Sequence, residues 1–390
     1  MAAADQSTSD LVWPEPGSTT THRLLSASLR VLLRELPQMP AGRAGAFRAD
    51  FLTVRSVWAE LTKTNPGALA AAFRSPAVSV LVRSLRGAGA DAAPELHRQL
   101  HAQFLVELGA LGALPRRVAL AHPPPEFFTL SGRRSYRLSP IRQVSFEGEA
   151  VFVHDNPVRP LAPEPPRIHS VEHGLLLSEI DSNPLALMEA HPDKDGNAID
   201  LGGKTVEQWC GALREALALI EEHLPTLHGE LTLLMRQLVP VGFDARTHLS
   251  ASYQEAIGTM YLTLHPSELT MAEALIHEFS HNKLNAMSEQ GSLLQNAFHP
   301  LVSSPVRPDP RPLHGVLLAV HAFLPVAALY RALEAGGHPL ADDPSFGRRF
   351  QNIVAGNREA TETLVEHAVA TDLGRPLLQE IQRRTAEFEP

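Results

Sequence analysis

The stretch "AEALIHEFSHNKLNAM", residues 272 to 287, holds two histidines four residues apart, His277 and His281, with Glu278 beside the first. Imidazole nitrogens are common ligands of divalent metals. On an α-helix, positions four apart lie nearly on one face, so both rings can meet one ion without a chain reversal. Glu278 sits one residue round, within reach of a water on that ion. Such a site either cuts a peptide, with Glu278 as general base, or serves some other metal chemistry. The competing reading is a buried helix with two hydrogen-bonded histidines. A well-formed helix following a strand is the context that the metal reading requires.

Two histidines rarely suffice for a metal, so a third ligand is sought. Three and six residues after His281 stand Leu284 and Met287, not the glycine and histidine of a metzincin. The zone "HPLVSSPVRPDPRP" contains no glutamate, which argues against a gluzincin. The next helix offers His314 and His321, seven apart and so on one face, and His299 lies in the loop before them. His321, mid-helix in "LLAVHAFLPVAALY", is the favoured ligand, with His314 in reserve. The alternative for His321 is a core histidine bonded to a carbonyl.

Arg307 and Arg311 stand just before that helix, in a loop stiffened by prolines at 305, 308, 310 and 312. Arginine grips a carboxylate with two parallel hydrogen bonds. A rigid loop that presents arginines beside a metal suggests an anionic co-ligand; the plainer reading is a salt bridge to Asp309 or a surface glutamate. Lys283 reads as solvent-facing or as the partner of a nearby acid. Asp193, Asp195 and Asn197 alternate like calcium ligands, but the closing glutamate of an EF-hand is absent. Asp181 and Asn183 end a strand and suit either a cleft wall or a plain turn.

The elements that must position these groups are legible in outline. Residues 1–20 are polar and small and read as a disordered tail. Residues 21–125 carry apolar side chains at spacings of three and four, a helical region. Residues 126–390 form the metal-binding domain. In it "RQVSFEGEAVFVHD" and "RIHSVEHGLLLSEID" read as strands. "VEQWCGALREALALIEEHLPTLHGELTLLMRQL" reads as two helices, and "SASYQEAIGTMYLTL" as a strand bent at Gly258. The pentad helix follows, with Thr270 and Glu273 as an expected capping box, then helices over 313–336, 345–371 and 375–388.

Composition narrows the class. The chain has 390 residues, 44% of them hydrophobic, and a formal net charge of −9 without a long basic run. That argues against a nucleic-acid partner. The single cysteine, Cys210, excludes an internal disulfide framework and a thiolate-rich zinc site. No secretory signal and no bilayer-spanning apolar run is read, so a cytoplasmic protein without a membrane partner is expected.

The segments "MYLTLHPSELTMAEALIHEFSHNKLNAM", "SPVRPDPRPLHGVLLAVHAFLPVAALYR" and "SEIDSNPLALMEAHPDKDGNAIDLGG" are far more specific than the pentad. From about residue 165 to 335 the chain resembles the HExxH-motif peptide-modification proteins of ribosomal-peptide (RiPP) biosynthesis. The resemblance implies iron(II)- and 2-oxoglutarate-dependent β-hydroxylation of residues in a precursor peptide, with O2 as oxidant. It implies that His277, His281 and a downstream histidine, here His321, bind iron. It implies that Arg307 and Arg311 hold the 2-oxoglutarate carboxylate, and that Glu278 orients groups at the metal without acting as a hydrolytic base. The alternatives are a zinc metallopeptidase with Glu278 as base and a non-catalytic peptide-binding module. The expected fold is α+β and mostly helical: a zincin-like core with a small sheet packed on the pentad helix, plus the N-terminal helical region.

Overall fold

Five helices lead the chain: α1 (Thr20–Glu35), α2 (Arg48–Thr64), α3 (Pro66–Arg74), α4 (Pro76–Gly87) and α5 (Ala93–Ala110). Prolines open α3 and α4, where the missing N–H costs nothing. Asn65 caps α3 by accepting from the Ala68 N–H at 3.1 Å. The structure, a computed structural model, describes residues 10–188, 190–191, 194–302 and 310–388.

The apolar faces of these helices close on an antiparallel sheet. Its strands run in the order Val118–Leu120, Val144–Glu147, Ala150–Val153, Arg159–Pro160. One hydrophobic cluster extends from Leu32 to Val153 and takes in Ala256. The N-terminal helical region therefore shares its core with the first sheet, across the break expected near residue 125.

The second sheet has five strands, in the order Ser250–Ala251, Thr259–Leu264, Gln237–Phe243, Leu176–Ser178, Ile168–Ser170. The three central strands are parallel, and both edge strands run antiparallel to their neighbours. Every residue of Thr259–Leu264 is buried, as expected of a strand covered on both faces. Against this sheet pack α6 (Val206–His223), α7 (Pro225–Leu234) and α8 (Glu268–Ser288), which carries the pentad. A capping box between Thr205 and Gln208 starts α6. The fold is α+β and mostly helical.

Behind α8 lie α9 (Leu313–Ala335), α10 (Pro344–His367) and α11 (Arg375–Ala386). The sequence reading found no apolar run of bilayer length, yet α9 is long and apolar enough to cross a membrane. It is a core helix: 72% of its apolar window is buried inside the protein, and a helix apolar all round is one covered all round.

The expected disordered tail also differs from what is observed from residue 10 onward. The backbone N–H groups of Leu11 and Val12 donate to the Glu380 carboxylate at 2.6 and 3.1 Å. Val12 is fully buried, and Arg384 stacks over the Trp13 ring at 4.0 Å. Three apolar side chains in a row anchor the segment where α9 and α11 meet.

Candidate metal centre

The pentad helix begins three residues before the expected cap. Ser267 is the N-cap, its hydroxyl accepting from the Thr270 N–H at 3.2 Å. Glu273 instead takes the Tyr330 hydroxyl and, at 2.7 Å, the Arg349 guanidinium. Apolar residues Leu275, Ile276 and Phe279 bury two sides of the helix. That leaves the third side to His277 and His281, whose ring centroids are 4.3 Å apart.

Ligand atoms of His277, Glu278 and His281 all lie within 4.8 Å of one another. His277 is half-buried, with Phe323 of α9 against its ring at 4.9 Å. The Nδ1 of His277 is 3.0 Å from Glu278 Oε1. An ionised carboxylate only accepts, so Nδ1 is the donor of this bond. A carboxylate that fixes the tautomer of a ligating imidazole in this way is a frequent partner at metal sites. The other oxygen, Oε2, accepts from the Ser252 hydroxyl.

Glu278 itself is buried. Burial pushes its carboxyl up, but the hydrogen bond from His277, the closeness of the His277 and His281 rings and a hydrogen bond from Ser250 outweigh that and hold it at about 2. His281 is driven down to about 3, first by burial and then by His277, so its ring is neutral. Its Nδ1 is buried without a hydrogen-bond partner. Two imidazoles, one of them with an orphaned buried nitrogen, beside a carboxylate ionised at neutral pH, fit a divalent cation.

The sequence reading missed the wall of this site. His248, Ser250 and Ser252 alternate with Leu249 and Ala251 through and beside the two-residue edge strand Ser250–Ala251, a period-two pattern that suits one polar side. Both serines donate to Glu278. His248 bonds the Thr263 backbone, and its Nε2 is buried without a partner. Burial pulls its pKa down to about 4, opposed by the nearby Glu278 charge. Asn282, next to the pentad, ties the edge to the helix: its Nδ2 donates to Ser252 Oγ (3.0 Å) and Thr259 O (3.1 Å), and its Oδ1 accepts the Gly258 N–H (2.7 Å). The expected single strand bent at Gly258 is instead two antiparallel strands, and Gly258, at φ +95°, lies in the turn that leads into the second. The visible signals were the alternation in "HLSAS" and the polar residue abutting the pentad.

His321 is not among the clustered donors. Its Nε2–H donates to the Leu11 carbonyl at 3.0 Å, and it meets α8 beside Ser280 and Lys283. Those two lie three apart, about 100° and 160° round the helix from His281. His321 is therefore a core histidine bonded to backbone carbonyls, those of Leu11 and Ser280. His314, in the first turn of α9, packs on Phe298 at 5.6 Å and, like His321, lies near enough to lower the pKa of His281. His299 is exposed.

Arg311 is half-buried immediately before α9, three residues ahead of His314. Arg307 lies outside the described residues, as does Asp193. Asn183 Nδ2 and Asp181 Oδ2 both bond the Tyr261 hydroxyl, at 3.0 and 2.6 Å. This is a packing network, with burial raising Asp181 to about 6. A second group with metal-ligand spacing, Glu172, His173 and His228, lies where the turn after Ile168–Ser170 meets α7. No protein-family model matches the chain, and no curated protein is similar to it.

Proposed function

We propose that the protein is a metal-dependent enzyme that modifies a peptide without cutting it, by iron(II)- and 2-oxoglutarate-dependent β-hydroxylation of residues in a ribosomally synthesised precursor peptide. The observation that carries this reading is the occupancy of Glu278. A hydrolytic base needs a carboxylate oxygen turned to the metal-bound water. Here Oε1 is held by His277 and Oε2 by Ser252. Glu278 is thus placed to orient a ligand.

His277 and His281 would hold the iron, with His248, His314 and His321 the further imidazoles around them. Iron(II) with 2-oxoglutarate and O2 supplies the power to insert one oxygen atom into a C–H bond. The protein's own contribution is positional. Glu278 sets the His277 tautomer, Ser250 and Ser252 hold Glu278, and Phe323 shields one side of the His277 ring. Arg311 is the described residue proposed to grip the distal carboxylate of 2-oxoglutarate.

The zincin-like core expected from the sequence belongs to this proposal. The parallel ladder closed by an antiparallel edge strand, with the pentad helix leaving the neighbouring strand, supports it. We place the reaction in the cytoplasm, in keeping with a lone buried cysteine.

The test is to incubate protein, precursor peptide, iron(II), ascorbate and 2-oxoglutarate and to weigh the peptide. A gain of about 16 Da that disappears without 2-oxoglutarate is the expected result. Two shorter fragments, formed with or without 2-oxoglutarate, would establish the zinc metallopeptidase instead. An unchanged peptide with every metal would leave a peptide-binding module.

A further inference from the structure

Away from the pentad, a cavity of about 320 Å³ lies between the α3–α4 junction, the segment after Phe128 and the turn that follows Ile168–Ser170. Three guanidinium groups line it: Arg74, Arg133 and Arg236. Among the described residues none of the three forms an ion pair, in a chain with a net charge of −9. Arg74 gives one nitrogen to the Leu233 carbonyl at 2.6 Å, while its Nε is buried and unpartnered. Burial, and next the charge of Arg236, lower the pKa of Arg74. Two like charges are thus held close with no counter-ion, which costs free energy unless something anionic joins them.

Three further features point the same way. Ser75, the N-cap residue of α4, is 94% buried, yet its hydroxyl neither caps the helix nor bonds anything else. It lines the cavity at the positive end of the α4 dipole. Gly174 has φ +82°, and a Cβ there would come within 2.6 Å of Arg236 Nη1, so only glycine lets that side chain lie where it does. The carboxylate in the wall, Glu107, is taken up elsewhere: its oxygens accept from Thr129 Oγ1, the N–H groups of Leu130 and Ser131, and Ser131 Oγ. It is therefore not the partner of the arginines.

We propose that this cavity binds a small molecule through a doubly charged oxyanion, a phosphate or a pair of carboxylates. Arg74, Arg133 and Arg236 clamp the charge and Ser75 Oγ donates to it. Leu111, Leu130 and Leu176 supply apolar wall for the remainder of the ligand. Arginine's planar fork suits this class of anion because it can donate two parallel hydrogen bonds.

The experiment is calorimetric titration of the full-length protein with inorganic phosphate and, separately, with succinate, at ionic strength matched with chloride. Saturable binding of at least one is expected, and which one binds more tightly names the chemistry. Arg236→Gln and the exposed Arg133→Ala should each weaken it at least ten-fold, with the circular dichroism of the folded protein unchanged. The proposal is overturned if neither anion binds saturably, or if both folded variants bind as the wild type does. Should Arg236→Gln fail to fold, Arg133→Ala alone decides in the same way.

Discussion

His277 Nδ1 and Glu278 Oε1 are 3.0 Å apart, between neighbouring residues of one helix, and Ser252, just past the edge strand, holds the other carboxylate oxygen. Glu278→Gln keeps the shape and removes the charge. It should weaken metal binding about 10- to 100-fold, as loss of such an orienting carboxylate does elsewhere. Ser252→Ala should act in the same direction and less strongly. Competition of the protein with a colorimetric chelator measures both. A hydrolase would respond differently, with peptide cleavage all but abolished in Glu278→Gln and metal affinity nearly intact.

His277→Ala and His281→Ala should each eliminate one equivalent of tightly bound cobalt(II), read from its visible absorption. The second His/Glu group, at Glu172, His173 and His228, must be counted separately. His228→Gln should leave the pentad's equivalent in place. If His281→Ala retains the full stoichiometry, the pentad is not the metal site.

Arg311 stands at the entrance to α9, three residues before His314. Arg311→Ala should raise the concentration of 2-oxoglutarate needed for half-maximal peptide oxidation by about ten-fold or more, the weight of a charge-assisted bidentate contact. The iron requirement should not change. An unchanged 2-oxoglutarate dependence would remove Arg311 from the cosubstrate site.

Lys283 is fully buried, with Nζ 2.8 Å from Glu230 Oε2 and 2.9 Å from the Asp10 carbonyl. Breaking such a pair leaves one buried charge alone. Lys283→Met should therefore cost roughly 3–5 kcal/mol in urea unfolding. The double variant Lys283→Met, Glu230→Leu should recover most of that loss, because no charge is then stranded.

His97 and His101, on α5, are both buried, and none of their ring nitrogens has a hydrogen-bond partner. Burial lowers His97 to about 4 and His101 to about 3 from an ordinary value near 6.5. The unfolded chain then takes up protons at a pH where the folded one does not. The stability these rings contribute is complete above pH ~6.5 and falls as the pH drops towards 4 and below. For His101 the full loss, below pH ~3, is on the order of 5 kcal/mol. His101→Leu should flatten the decline of stability between pH 6.5 and 4, relative to wild type in the same series. A parallel decline in both proteins would show that the acid lability arises elsewhere.

Local pattern was enough to locate the helices from α6 to α11, because their apolar residues recur at helical spacing and their ends carry Thr, Ser, Asp or Pro. It was enough to bring His277, Glu278 and His281 together, because four residues of one helix fix that geometry without any tertiary contact. What local pattern does not contain is which way a distant helix is rotated. His321 looked like a ligand because it is a mid-helix histidine among apolar neighbours, but the rotation of α9 turns it towards Ser280, Lys283 and the Leu11 carbonyl.

The polar wall likewise needed the fold. His248, Ser250 and Ser252 come near Glu278 only because an edge strand of the sheet passes beside α8, and strand pairing is a long-range choice. The same holds for Lys283 with Glu230, 53 residues apart. It holds also for the convergence of Arg74, Arg133 and Arg236 on one cavity. A residue's type and its spacing from near neighbours determine what it can do chemically; its partners across the chain are determined by how helices and sheet bury their apolar faces.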